Sequence, residues 1–234
     1  MANQFSIEVG QHGVSDIPGD HGNMQSKLHS SLEEVLEWSE EKLGKSEIIK
    51  AKEDFFWKMG KVFHDDECYH ERMTFFTDHF LFERSIESKF SSTHMTPYKL
   101  WLEDFPHKTL VLSYRHSIFR ILRRKTEYLV LLDLLDGSKK TIENQNKNSF
   151  WGIERNMIIQ GFIFETPSGS CLSGGIIFHP KCSLSTVKKS IRISKKTGAF
   201  QESRFLAGTA KIQLKDLRHA NISSQNIYTI DALI

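Results

Sequence analysis

The sequence predicts an α+β protein with an N-terminal helical region, a small five-stranded antiparallel β barrel or bent sheet, and C-terminal helices. Three observations predict it. From about residue 26 to residue 107, apolar residues recur every three or four positions, the helical period. From Ser117 to Phe178 the chain breaks into short apolar runs divided by turn residues. Beyond Pro180 the helical period returns. The implied divisions are a flexible arm at 1–25, an acidic helical region at 26–107, a small β domain at 108–180 and basic C-terminal helices at 181–234.

The arm is assigned because residues 1–25 are rich in Gly, Asn, Asp and His and have no periodicity. Ser31 is the expected cap of a first helix ending at Leu43-Gly44, and Ser46 starts a second that runs to Lys61. The densest stretch follows, Glu53 to Arg84. Its His64-Asp65-Asp66-Glu67 run reads as a break in which an Asp caps a third helix, Asp66 to Arg84. Tyr69, Met73, Phe76 and Phe80 form that helix's seam, widened by Phe75 and Phe82. A polar loop spans Ser85 to Met95. Thr96-Pro97 is a helix start, with a capping hydroxyl followed by Pro at the first helical position. Residues 107–116 fit either a strand or a short helix.

Five strands are expected: Ser117 to Leu122, Glu127 to Leu135, Lys139 to Gln145, Met157 to Glu165 and Cys171 to Phe178. Asp136-Gly137 and Pro167 to Ser170 provide hairpin turns, and Asn146 to Ser149 a loop. Gly161, Gly174 and Gly175 suit bulges or bends in a curled sheet. Ser183 or Ser185 then caps a helix carrying Leu184, Val187 and Ile191, which Thr197-Gly198 breaks. A last long helix covers Phe200 to Leu217. Ile227, Tyr228 and Ile230 in the tail are suited to docking on the body of the protein.

Composition excludes several classes. Three cysteines, Cys68, Cys171 and Cys182, with no C-x-x-C pair argue against a disulfide framework or a zinc ribbon. Neither a signal peptide nor the ~18-residue apolar run of a membrane span is present, so the expected location is cytoplasmic, with no membrane partner. Net charge is +2, yet it is unevenly spread. Residues 1–104 carry −9, residues 105–180 carry +4 and residues 181–219 carry +8. Either the two ends attract each other or the basic end serves an acidic partner.

Two candidate sites emerge. The basic one comprises Arg115, Arg120, Arg123 and Arg124 at the start of the β region, with Lys188, Lys189, Arg192, Lys195 and Lys196 after it. Cations clustered beside a small barrel are the electrostatic footprint of a nucleic-acid or nucleotide binder. The bland alternatives are a solvated strand end and pairing with the acidic front. The second site is the His64–His79 cluster, where Glu67, His70 and His79 are the metal-ligand candidates. Glu67 and His70 have the i, i+3 spacing of di-iron bundles, but no second E-x-x-H and no H-E-x-x-H occurs. There the bland alternative is a solvated acidic cap, with His79 hydrogen-bonded at the edge of the aromatic seam. No Walker loop or G-x-S-x-G elbow is present, and no catalytic residue is assigned. A cyclic-dinucleotide barrel of the PilZ type also begins with an Arg motif, but its D/N-x-S-x-x-G element is not matched by Asp133 to Ser138.

The residues G-K-V-F-H-D-D-E-C-Y-H-E-R-M-T-F-F at 60–76, T-P-Y-K-L-W-L at 96–102, S-I-F at 117–119 and L-L-D-L-L-D-G at 131–137 together resemble a family of uncharacterised bacterial cytosolic proteins. The resemblance covers roughly residues 50 to 220 and implies an acidic helical region, an aromatic Arg-Met helix and a small β domain. It implies no activity. Related architectures carry a cysteine-rich motif of the SEC-C type, which is not found here, so no zinc-dependent adaptor role is expected. The expected function is a non-enzymatic binding or regulatory module, without cofactor, whose basic C-terminal half holds nucleic acid, a nucleotide or an acidic protein. The alternative is a metal-dependent enzyme built on the His64–His79 cluster.

Overall fold

A computed structural model describes residues 24–87, 94–143, 150, 152–198 and 200–233. The flexible-arm assignment therefore lies almost wholly outside the described residues. Three helices come first: α1 (Met24–Leu43), α2 (Lys45–Met59) and α3 (Tyr69–Glu83). The first begins before Ser31, so Ser31 is not its cap. The second ends at Gly60, whose φ of 95° is the left-handed backbone that suits glycine as a helix stop. Residues 64–68 form turns rather than the first turn of α3. Asp66 does accept a backbone hydrogen bond, but from Phe63 N at 2.7 Å, behind it in the chain. It closes the turn instead of capping the helix.

A two-residue ladder, β1 (Ile86–Glu87) with β2 (His94–Met95), lies where a plain loop is expected. The Thr96-Pro97 signal holds. Thr96 Oγ1 accepts from Lys99 N, and Pro97 opens α4 (Pro97–Asp104). The ambiguous 107–116 stretch divides into a 3-10 turn at Pro106–Lys108 and the start of the longest strand, β3 (Ser113–Arg124). Then come β4 (Tyr128–Asp133), β5 (Lys139–Glu143), β6 (Ile158–Thr166), β7 (Gly169–Leu172) and β8 (Ile177–His179). The expected single strand 171–178 is thus two. The segment at Gly174-Gly175 separates them, and β8 returns to the other end of β6.

The sheet is antiparallel in the order β5-β4-β3-β6-β7, with β8 also on β6. It curls into a half barrel. Lys140 on β5 reaches Glu165 on β6 at 2.9 Å, although β4 and β3 separate those strands in the sheet order. In a flat sheet three strand spacings would put them about 14 Å apart. The concave face holds Phe119, Ile121, Leu129, Leu131, Ile142, Ile159, Ile163 and Leu172, filled in by Phe150 and Ile153. The opposite face presents His116, Ile118, Phe162 and Phe164.

Helices cover that face. Phe75 of α3 sits with its ring 5.7 Å from Phe162 and 5.3 Å from His116. Behind the sheet run α5 (Leu184–Lys196), α6 (Glu202–Arg218), α7 (Ser224–Ile227) and α8 (Ile230–Leu233). Of the two expected caps of α5, Ser185 lies inside the helix and Ser183 donates its hydroxyl to Pro180 O, so α5 has no side-chain cap there. The tail docks through Ile227 and Tyr228 as the apolar pattern suggests, but Leu233 rather than the half-buried Ile230 joins them in the core beside Val187, Ile191 and Phe205. The C-terminal helices also meet the first ones. Arg72 of α3, 1% exposed, donates to Ala210 O and Gln213 Oε1 of α6 and to Met59 O at the end of α2.

Candidate anion-binding surface

α5 is amphipathic, and its charge distribution follows from helix geometry. Val187, Ser190, Ile191 and Ser194 are buried against the body. At about 100° per residue, Lys195, Lys188, Arg192, Lys196 and Lys189 fall within an arc of about 120° on the outside. Lys195 is partly committed: its ammonium bonds Leu135 O and lies 5.4 Å from the Phe200 ring centre. Lys188, Lys189, Arg192 and Lys196 are exposed and meet no carboxylate among the described residues. No large apolar side chain interrupts them.

Elsewhere the opposite charges do meet. Arg218 holds Asp66 at 2.5 Å. Lys108 pairs with Glu34, and Arg84 with Glu47 and Asp54. Arg218 of α6 thus ties the basic rear to the acidic front at Asp66, while the outer face of α5 meets no carboxylate among the described residues.

The four arginines of the β region divide. Arg115 is committed inside the protein, with Nε 2.7 Å from Asp133 and further contacts to Glu202 and Asp136. Burial alone would lower its pKa, yet the bonds to Asp133 and Glu202 raise it. Asp133 is fully buried and also accepts from Ser117 Oγ and from Leu135 N. The D-L-L-D-G element is thus a built turn, anchored by its first Asp and passing through Gly137 at φ 80°. Arg120 donates to Asn156 Oδ1 at 2.7 Å.

Arg123 and Arg124 are exposed at the end of β3. With Leu122, Lys125, Glu154 and Arg155 they line an open depression of about 740 Å³. Lys125 closes the basic run that begins at Arg120 in the sequence, whereas Arg155 was not singled out from it. Arg155 is an isolated cation between strands, and the only local signal is its neighbour Asn156, a residue type that tolerates the left-handed φ of 69° found there. Glu154, the one acid in the lining, is held by Lys181 at 2.9 Å, and that bond lowers its pKa.

The metal candidates are not brought together. Glu67 and His70 are exposed, Glu67 in the turns before α3. His79 is nine residues beyond His70, half a turn out of phase and about 13 Å along the helix. It points to Glu83, 3.5 Å away, and lies edge-on to Phe55. Burial lowers its pKa to about 4. Among the described residues no group of three His, Cys, Asp or Glu side chains is placed to hold a metal ion. Burial also raises the Cys171 thiol to about 12, far from a nucleophilic thiolate.

No helix among the described residues is long and apolar enough to cross a membrane. Fold and surface together define an α+β protein with a curled antiparallel sheet, backed by helices of which one turns a basic face outward. Compared with protein-family models, curated proteins and solved structures, the chain matches none.

Proposed function

We propose that this protein is a binding module that docks on the phosphate backbone of a nucleic acid through the outer face of α5. The observation that carries this reading is the arc of Lys188, Lys189, Arg192 and Lys196, exposed and without carboxylate partners among the described residues. Protein interfaces are depleted in Lys at their centres and enriched in aromatic anchors. The arc has neither feature. Phosphate contacts, by contrast, are made by Lys and Arg and need no apolar core. From Lys188 to Lys196 the helix advances about 12 Å, a length over which duplex DNA carries about seven phosphate charges.

Contacts from Lys and Arg to phosphate fix position and register and carry no sequence information directly, so binding through them reads charge and shape. The test is a charge reversal, Lys188→Glu/Arg192→Glu/Lys196→Glu, assayed by fluorescence anisotropy with a duplex RNA and a duplex DNA. These residues are exposed and without carboxylate partners among the described residues, so the fold tolerates the change. Binding is expected to weaken by at least tenfold for both duplexes. Unchanged binding, or no binding by the parent protein at low salt, removes the reading.

A further inference from the structure

The depression at the end of β3 differs from α5 in shape and in support. It is concave, and four of its six lining residues, Arg123, Arg124, Lys125 and Arg155, are cations. The only lining carboxylate, Glu154, is held by Lys181. A surplus of positive charge in a concave site favours a compact anion of several charges.

The cations stand on a built frame. β3 carries an extra residue between Ile121 and Arg123, which breaks the register with β4. Beyond it Arg123 faces Val130 and Arg124 faces Leu129, so the two arginines leave the strand on opposite sides. Both nevertheless line the depression, which therefore wraps around the strand end. The segment bearing Glu154 and Arg155 is fastened to the same place. Ile121 N donates to Met157 O at 2.9 Å and Asn156 N to Ile121 O at 2.8 Å. Arg120 adds a bond to the Asn156 side chain, and its buried Nε has no partner.

We propose that this depression binds a pyrophosphate-bearing small molecule, at a site separate from the outer face of α5. Arginine forks donate to phosphate oxygens two at a time, and three arginines with one lysine match a diphosphate better than a single phosphate. Free pyrophosphate and a nucleoside diphosphate share that chemistry.

The test is isothermal titration calorimetry of the full chain with inorganic pyrophosphate and with ADP, each at two salt concentrations. Saturable binding of one pyrophosphate group per chain is expected. Arg123→Gln/Arg124→Gln/Arg155→Gln weakens it at least tenfold, whereas the α5 charge reversal leaves it within twofold. ADP binding tighter than pyrophosphate identifies a nucleotide as the occupant, and equal affinity identifies the diphosphate alone. Arg155→Gln by itself is the second variant, expected to weaken binding by threefold or more should the triple variant misfold. The proposal is overturned if neither probe binds saturably or if the variants bind like the parent. It is also overturned if the triple substitution affects only oligonucleotide binding, which would make the depression part of the α5 surface. Because the two sites share no residue, either proposal survives failure of the other.

Discussion

Gly175 lies where a side chain has no room. A Cβ there would stand 2.5 Å from Phe75 N and 2.6 Å from Phe75 Cα, on the backbone of α3. Helix main chain cannot yield as a flexible side chain can. Gly175→Ala is therefore expected to cost about 3 kcal/mol in urea unfolding, at the upper end of ordinary overpacking. Close by, Ser173 Oγ donates to Asp78 and accepts from Gly175 N. Burial raises the Asp78 pKa to about 7. Between pH 4 and 7 the folded state keeps a proton that the unfolded chain has released, so this group's contribution to stability falls as pH rises. The unfolding free energy of the parent minus that of Asp78→Asn should then decline by on the order of 1–3 kcal/mol from pH 4.5 to 7.5. A flat difference would show that Asp78 is not held protonated. His79 and His179, whose pKa values burial lowers to about 4 and about 3, act oppositely: they stay neutral when folded, and stability is lost as pH falls below about 6.5. The sequence marks Gly174-Gly175 as a bend. It does not show why Gly175 must be glycine, because the obstructing backbone is 100 residues away.

Among the elements, the end of α2, the start of α3 and the middle of α6 converge on Arg72. Its guanidinium meets two backbone carbonyls and the Gln213 amide oxygen, and no carboxylate among these partners, and burial lowers its pKa to about 10. Arg72→Ala leaves a cavity and should cost about 3 kcal/mol. Arg72→Met keeps most of the volume and strands no opposite charge, so it should be clearly milder. Equal losses would place the contribution of Arg72 in its hydrogen bonds instead. The aromatic seam of this helix is legible in its spacing, as are the α4 start and most strands. The Arg72 contacts are not, since Ala210 and Gln213 are 138 and 141 positions away. The extra residue in β3 was equally hidden, because it is decided by which strand lies alongside, and the Gly174-Gly175 bend shows in the sequence without showing that β8 returns to β6. Ser31, Asp66 and Ser183 all look like caps, yet none caps its helix. A capping residue type offers a hydrogen bond, and the tertiary path of the chain decides who receives it.

Across the whole molecule, the acidic front and basic rear are plain from the charge counts. What counting cannot give is their pairing. Arg218 finds Asp66, while the outer face of α5 finds no carboxylate among the described residues. That remainder is the basis of the functional reading, and it makes binding depend on salt. If about four cations displace counterions, log K for duplex DNA falls with log salt at a slope of about −3.6, and Lys188→Gln removes about one unit of that slope. The measurement to make is the affinity of the parent protein for duplex DNA between 50 and 200 mM salt. A straight line with a slope between about −3 and −5 is the predicted result. A slope near zero, or binding that survives neutralisation of α5, would contradict the account.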